Sequence, residues 1–386
     1  MSDAPLQELA FLALEAEIEE FVTGLGESYA ERIERSGEVP ADLYGELRTR
    51  GYLGLAAPVE LGGRGVPFQR YLRLLEIFSR SHGSIRMLVH VANGIWRAVD
   101  QVATPEQRER FVVPAVRGDL RLSFALTEPA AGTGADLRSV VAREGEHYLL
   151  TGEKHLITFG VSCDYWLVFA RIAGTKGKTG TVALLVARDT PGVLVTEMAP
   201  TMGVRGTDHA QLVFDRARVP VSNRIGEEGR GLDVALGGFL VPSRISVAMS
   251  CVGLARRAHE LAVGYARERK TFGRKLADRQ AIRFMLAENA TDIEAARQLV
   301  LHAGRRWQAG DADAPVLSSM AKLNAVDALT RVSDRSLQVH GGLGYWQSSP
   351  IERVYRDARA QRFEEGTNEI QKTVIARATL EGGRQA

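Results

Sequence analysis

YWLVFARIAGTKGKTGTVALLVAR, Tyr165–Arg188, holds two apolar runs of strand length on either side of a glycine- and lysine-rich turn. Val, Leu, Ile, Phe and Trp in runs of seven or eight, stopped abruptly by Gly and Thr, read as two strands joined by a hairpin, with GTKGKTG as its tip. The same turn invites a phosphate-loop reading, but the first glycine of that motif would fall on Ile172, so the hairpin stands. Outward from it the texture repeats: LSFAL at 122–126, HYLLTG at 147–152, VLVTEM at 193–198 and QLVFD at 211–215 are all strand-length. Residues 120–225 are therefore expected to form a β domain.

The flanks change period. LQELAFLALEAEIEEF (Leu6–Phe21) and FQRYLRLLEIFSR (Phe68–Arg80) place apolar residues at three- and four-residue spacing, which predicts a helical N-terminal domain over 1–119, punctuated by Pro40, Pro58 and GGRG at 62–65. After Gly226 long helical segments return at Ser243–Lys270, Gln280–Gln308 and Ala314–Val339, so 226–386 is expected to be a helical bundle domain. In Ser243–Lys270 the small residues Ala248, Ser250, Gly253 and Ala255 leave room for a close neighbour.

At 386 residues the chain can bury a large core, and a net charge of +2 implies no general attraction to nucleic acid or an anionic membrane. Partners are expected to be small molecules. Cys163 and Cys251 are too few for a disulfide framework or a Cys-rich metal site. The acidic, periodic start is unlike a signal peptide, and no apolar run is expected to reach membrane-spanning length, so the expected location is cytoplasmic. The eight histidines show no metal-ligand spacing, and His340 in QVHGGLGY reads as a packed side chain. Neither G-x-G-x-x-G after a strand nor G-x-S-x-G is present, which argues against a Rossmann site and a hydrolase elbow.

Near the end stands FEEGTNEIQ, Phe363–Gln371. Alone it reads as a helix entrance: Asn368 and Gln371 have capping-box spacing, and Glu364 and Glu365 suit the positive end of a helix dipole. Five stretches in order alter that reading: PVELGGRG at 58–65, ALTEPAAGTG at 125–134, GEKHLIT at 152–158, RKTFGRKLADRQ at 269–280, and QVHGGLGYW at 338–346 followed by FEEGTNEIQ. Together they resemble the acyl-CoA dehydrogenase family of flavoproteins across essentially the whole chain.

That resemblance implies an α+β multidomain fold, with an N-terminal helical domain, a middle β-barrel-like domain and a C-terminal four-helix bundle, and FAD held between the last two. It implies a homotetramer, a dimer of dimers, in which the adenine end of each FAD reaches a neighbouring subunit. By the same resemblance Leu126, Thr127, Thr133, Leu156 and Thr158 line the flavin. Arg269, Thr271, Phe272 and Gln280 grip FAD across the dimer, Gln338 and Gly342 make a second cross-subunit contact, and Thr367 and Glu369 lie near the ribose and adenine. Read as bare residues, the threonines are also good strand formers, and Arg269 with Lys270 suits the negative end of a helix that Gly273 terminates.

Glu365, immediately before Gly366-Thr367, matches the catalytic base of the family, which removes an α-proton while the β-hydrogen leaves as hydride to flavin N5. Some relatives carry the base before the arginine of the SRISVA segment; here that residue is Ser243, before Arg244, so Glu365 is the single candidate. Ser243, Arg244, Glu364 and Gly366 are expected at the substrate.

The chain departs from the family pattern at Leu156, where an aromatic usually lies beside the flavin; at Gly132-Thr133-Gly134, which replaces Gly-Ser-Asp; at Glu364, a position often aromatic; and at Val241, often an acid that helps place CoA. The reading is FAD-dependent α,β-dehydrogenation of a short or functionalised acyl thioester, on CoA or an acyl-carrier protein, with an electron-transfer flavoprotein or oxygen as acceptor. A flavin monooxygenase or oxidase on the same fold, and a non-catalytic thioester-binding subunit, stand as alternatives.

Overall fold

The computed structural model describes residues 8–131, 136–177 and 179–382. Helices come first: α1 (Glu8–Thr23), α2 (Leu25–Ser36), α3 (Ala41–Thr49), α4 (Phe68–Phe78) and α5 (Gly83–Asp100), then short α6 (Pro105–Gln107) and α7 (Val113–Arg117). Strands follow: β1 (Leu122–Ala125), β2 (Val140–Glu144), β3 (His147–Thr158), β4 (Tyr165–Ile172), β5 (Thr181–Ala187), β6 (Val193–Glu197), β7 (His209–Pro220) and β8 (Arg224–Gly229). After α8 (Gly231–Ala235) and α9 (Val241–Glu268) comes a small hairpin, β9 (Lys270–Thr271) and β10 (Arg274–Lys275). Helices α10 (Gln280–Gln308), α11 (Ala314–His340), α12 (Pro350–Ala360) and α13 (Asn368–Leu380) complete the chain. Helical ends around a central sheet are the architecture the residue patterns predict.

The sheet runs β6-β7-β3-β2-β4-β5-β8, with β1 pairing in parallel on the β2 side of β4. Strands β4 and β5 pair antiparallel from Tyr165 opposite Ala187 to Arg171 opposite Thr181, so GTKGKTG is the hairpin tip, of which Lys178 lies outside the described residues. The run in β4 is apolar throughout because both its faces are buried. Leu167 and Phe169 point to a core shared with Ile95, Trp96 and Phe239, while Trp166 and Val168 point to the interior of the β domain with Leu184 and Phe214. A third core joins the N-terminal helices to the bundle through Phe21, Leu75, Ile245, Val252 and Leu329. Helix α5 contributes to two of these cores and so lies where the three regions meet.

The small residues of α9 act as their spacing predicts. A Cβ on Gly253 would sit 2.3 Å from the Glu76 carbonyl oxygen, so α4 crosses α9 at backbone contact distance. Two expectations are corrected. Residues Gly231–Glu268 form a 38-residue helical stretch long and apolar enough to cross a membrane, although 78% of its most apolar window is buried inside the protein, the setting of a core helix. Helix α9 ends at Glu268 rather than at Lys270, and Gly273 instead forms the tip of the β9–β10 hairpin with Phe272; both take left-handed backbone angles there (φ 76° and 49°).

Candidate active site

Between α12 and α13 the chain reverses through two consecutive left-handed residues, Glu365 (φ 53°) and Gly366 (φ 94°). Glycine adopts that angle freely; a glutamate does so at a cost and only where its surroundings hold it. The holding groups are specific. Arg244 Nε and Gln371 Nε2 donate to the Glu365 carbonyl oxygen at 3.2 and 3.1 Å, and Gln371 Nε2 also donates to the Gly366 oxygen at 3.0 Å. Lys322 Nζ, fully buried, donates to the Gly366 oxygen at 2.6 Å and the Arg362 oxygen at 3.4 Å. Burial lowers the Lys322 pKa, with Cys251, Glu364 and Glu365 acting in the opposite sense.

Lys322→Met keeps the length and removes both charge-assisted bonds, so it should destabilise the protein by about 2–4 kcal/mol and slow flavin reduction by loosening the loop. Denaturant midpoint and the rate of flavin reduction check this; a variant with both unchanged would show that the clamp holds nothing.

The capping-box reading is displaced by one residue. Thr367 is the N-cap of α13, its Oγ1 accepting from Ile370 N–H at 3.5 Å, while Asn368 is buried in the first turn and donates to Asp327 at 3.2 Å. Gln371 reaches back to the carbonyls at 365 and 366 instead of to a capping N–H, because the left-handed pair turns those carbonyls toward it.

The two adjacent carboxylates meet opposite environments. Glu364 is gripped by Arg86 of α5 through two bonds of 2.8 and 2.9 Å and by Gln361 at 3.2 Å. Burial pushes its carboxyl pKa up, but the Arg86 charge and bonds outweigh that and hold it below the usual range. Glu364 was expected at the substrate; its carboxylate is instead occupied by Arg86, whose side chain is only 3% exposed. The Glu365 carboxylate accepts no hydrogen bond from any described residue, and its side chain is 14% exposed. Its nearest basic neighbour among the described residues is His90 of α5, whose Nε2 lies 3.9 Å from Oε1. The same Nε2 is 3.1 Å from Ser243 Oγ on α9, so Ser243, Arg244, Gly366 and Glu365 come together in space.

Arg86, His90 and Lys322 were not singled out from the sequence, and Gln371 was read there only as a capping residue. A usable signal existed for the first three: Arg86 and His90 stand at i and i+4 in the apolar run of α5, and Lys322 interrupts an apolar stretch of α11.

The residues expected around the flavin fall into two groups. On the sheet, Thr127 is exposed, Thr158 half-buried, and Leu156 is 54% exposed in a bulge of β3, with a left-handed φ of 57°. Leu126 stands beside them; its carbonyl accepts from Lys154 Nζ at 3.1 Å. The Lys154–Glu128 ion pair at 2.7 Å, buried on both sides, fixes this corner. Burial pulls Lys154 down to about 8, against the attraction of Glu128. An exposed apolar side chain beside threonine hydroxyls fits a planar ring with hydrogen-bonding edges. Thr133 lies outside the described residues.

The second group is at the opposite end of α9. Arg269 follows that helix directly, and its guanidinium has no ion-pair or hydrogen-bond partner among the described residues, which suits a phosphate. Thr271 is bonded by Arg279 NH2, Phe272 is 97% exposed, and Gln280 starts α10. His340 stacks on Tyr265 at 4.6 Å and, as expected, is a packed histidine; it brings Gln338 and Gly342 to this same end. Arg244 and Glu268 are 24 residues apart on α9, about 36 Å at the helical rise, so the Glu365 loop and the Arg269 segment lie at opposite ends of that helix. Thr367 and Glu369 lie on α13 next to the Glu365 loop, Glu369 exposed.

Three family models match the chain in order: "Acyl-CoA dehydrogenase, N-terminal domain" over residues 11–119, the middle domain over 123–217 and the C-terminal domain over 229–380. An acyl-CoA dehydrogenase of Bacillus subtilis (strain 168) is 35% identical over 355 residues, covering 92% of this chain and 93% of that protein. The caffeyl-CoA reductase-Etf complex subunit CarC of Acetobacterium woodii is 34% identical over 348 residues, covering 90% and 91%. The structure of butyryl-CoA dehydrogenase from Megasphaera elsdenii superposes with a TM-score of 0.91 at 30% identity, covering 98% of this chain and all of that one. With three family models matched in order and the fold shared over nearly its whole length, the chain belongs to the acyl-CoA dehydrogenase family of flavin-dependent oxidoreductases.

Proposed function

We propose that the protein is an FAD-dependent dehydrogenase that introduces an α,β double bond into an acyl-CoA, with Glu365 as its base. The observation that carries this reading is the division of labour between the adjacent carboxylates: Glu364 is neutralised by Arg86, while Glu365 stands without a bonded partner on a strained and clamped backbone. A carboxylate so held can take a proton without first breaking an ion pair. No described residue accepts the Glu365 backbone N–H either, so it is free to donate to the thioester carbonyl as charge develops there. Clamping of the 365 and 366 carbonyls by Arg244, Gln371 and Lys322 fixes both groups relative to each other. When bound, the flavin supplies the two-electron acceptor for the β-hydride. Leu126, Thr127, Leu156 and Thr158 would hold its ring, and Arg269 with Gln338 its phosphates.

Because Arg269 lies about 36 Å along α9 from the Glu365 loop, one chain does not complete both ends of the cofactor site. This supports sharing of FAD between subunits of a homodimer, paired into a tetramer. An electron-transfer flavoprotein is the proposed acceptor, supported by the CarC relative, which is named as part of an Etf complex. Both cysteines are buried free thiols, which suits the cytoplasm.

The test is an anaerobic titration of the purified yellow protein with acyl-CoA thioesters, then addition of an electron-transfer flavoprotein or air. Bleaching that persists in the absence of the flavoprotein is the expected result. Rapid reoxidation by air with an oxygenated product would make it a monooxygenase, and no bleaching despite bound flavin would make it a non-catalytic subunit.

A further inference from the structure

We propose that His90 and Ser243 are specificity-determining residues that read a hydrogen-bonding substituent on the acyl group. The favoured substrates are then short acyl-CoA thioesters with a hydroxyl or amino group within a carbon or two of the α-carbon. This rests on Glu365 as base. Side chains from three separate elements converge here: His90 from α5, Ser243 from α9 and Glu365 from the α12–α13 loop. His90 Nε2 is 3.1 Å from Ser243 Oγ and 3.9 Å from Glu365 Oε1, and both His90 and Ser243 are 3% exposed. A base oxygen must approach the carbon it deprotonates to about 3–3.5 Å. A ring nitrogen 3.9 Å from that oxygen therefore borders the first carbons of the acyl chain.

The bonding capacity of the pair is not exhausted. Imidazole offers two nitrogens and the serine hydroxyl one donor and two acceptor positions, and their mutual contact uses one site on each. His90 Nδ1 has no partner among the described residues, and Ser243 Oγ has only the His90 bond. Around a plain alkyl chain these sites would lose water on substrate binding and gain nothing in return; a substituent bearing O–H or N–H restores a partner. Either histidine tautomer serves, since one ring nitrogen always carries a proton.

Chain length is limited by what stands one turn away. Arg86, four residues before His90 on α5, is filled by its bidentate pair with Glu364, and Gln361 closes the other side of that carboxylate. A long unsubstituted chain running along this face of α5 past His90 would meet this satisfied ion pair.

The experiment compares kcat/KM for flavin reduction by butyryl-CoA with that for its 2-, 3- and 4-hydroxy and amino derivatives, using the holoenzyme. At least one substituted thioester should exceed butyryl-CoA by about tenfold or more, and His90→Leu should cut that ratio by about 10–100-fold, the range of one or two lost hydrogen bonds. Ser243→Ala should cut it in the same sense. Should His90→Leu fail to bind flavin, His90→Gln and Ser243→Ala decide by the same ratio. Butyryl-CoA as the preferred substrate of the unmodified enzyme, or a ratio unchanged in these variants, overturns the proposal while leaving the dehydrogenase reading intact. Absence of flavin reduction by every thioester defeats both.

Discussion

Glu365→Gln is expected to retain flavin and thioester binding while flavin reduction by acyl-CoA falls by at least about 10²–10⁴-fold, the usual contribution of a general base. Retention follows from the geometry. The loop is held through the carbonyls of residues 362, 365 and 366, none of which the substitution touches, and the carboxylate itself bonds to no described residue. The backbone N–H is likewise preserved, so carbonyl polarisation survives the loss of the proton acceptor. Adding Ser243→Glu should restore part of the rate, because Ser243 and Glu365 both approach His90 Nε2, at 3.1 and 3.9 Å, and thus face a common space. Stopped-flow reduction under anaerobic conditions measures each step. Near-normal reduction in Glu365→Gln would return the segment to a helix entrance with no chemical role.

Glu364→Gln, one residue earlier, should fail in a different way. It leaves the Arg86 guanidinium buried without its counter-charge, and breaking one side of a buried pair costs about 3–5 kcal/mol. Arg86→Met should cost a similar amount, and Arg86→Met with Glu364→Met much less than the sum of the single changes, since two apolar groups of like volume leave nothing unpaired. The pH dependence has a definite sign. The folded pKa of Glu364 is depressed, so its stabilisation is fully present above the unfolded carboxylate value and is lost as pH falls through the folded one. Acid unfolding of the Glu364→Gln protein should therefore be flatter across that window. Denaturant midpoints taken from neutral to acid pH test both points, and simple additivity of the single variants would refute the pairing.

This contrast alters how the two glutamates are tested. As neighbours in sequence they look interchangeable, and Glu364→Gln looks like a plain control for lost charge. In the fold Glu364 is a structural ion-pair member whose removal perturbs stability first, so rates measured on it need the folded fraction beside them. The better activity comparison for Glu365 is the Arg86→Met/Glu364→Met protein, provided it keeps its flavin.

Much of the architecture was legible because it rests on local periodicity. Continuous apolar runs and turn residues marked the β4–β5 hairpin, three- and four-residue spacing marked α1 and α4, and the small residues of α9 announced a close neighbour, which is α4. The end of α9 was placed at Lys270, two residues too late, because Gly273, a plausible helix stop just beyond, serves a two-residue hairpin tip, and local sequence does not distinguish these uses of a left-handed glycine. The length and apolarity of Gly231–Glu268 were also missed, since Arg and Glu at its far end mask a core helix when read residue by residue.

At the site the division is sharper. The sequence by itself determined that a carboxylate precedes Gly366-Thr367, that a serine and no carboxylate precedes Arg244, and that helices enclose a sheet, because each of these depends on residues close together in the chain. Only the tertiary structure decided which carboxylate is free. Arg86 is 278 residues from Glu364, Lys322 is 44 from Gly366 and His90 is 153 from Ser243. Charge and hydrogen-bond partners set what an ionisable group does, and partners so distant along the chain are chosen by the packing of α5, α9 and α11, which no local pattern encodes.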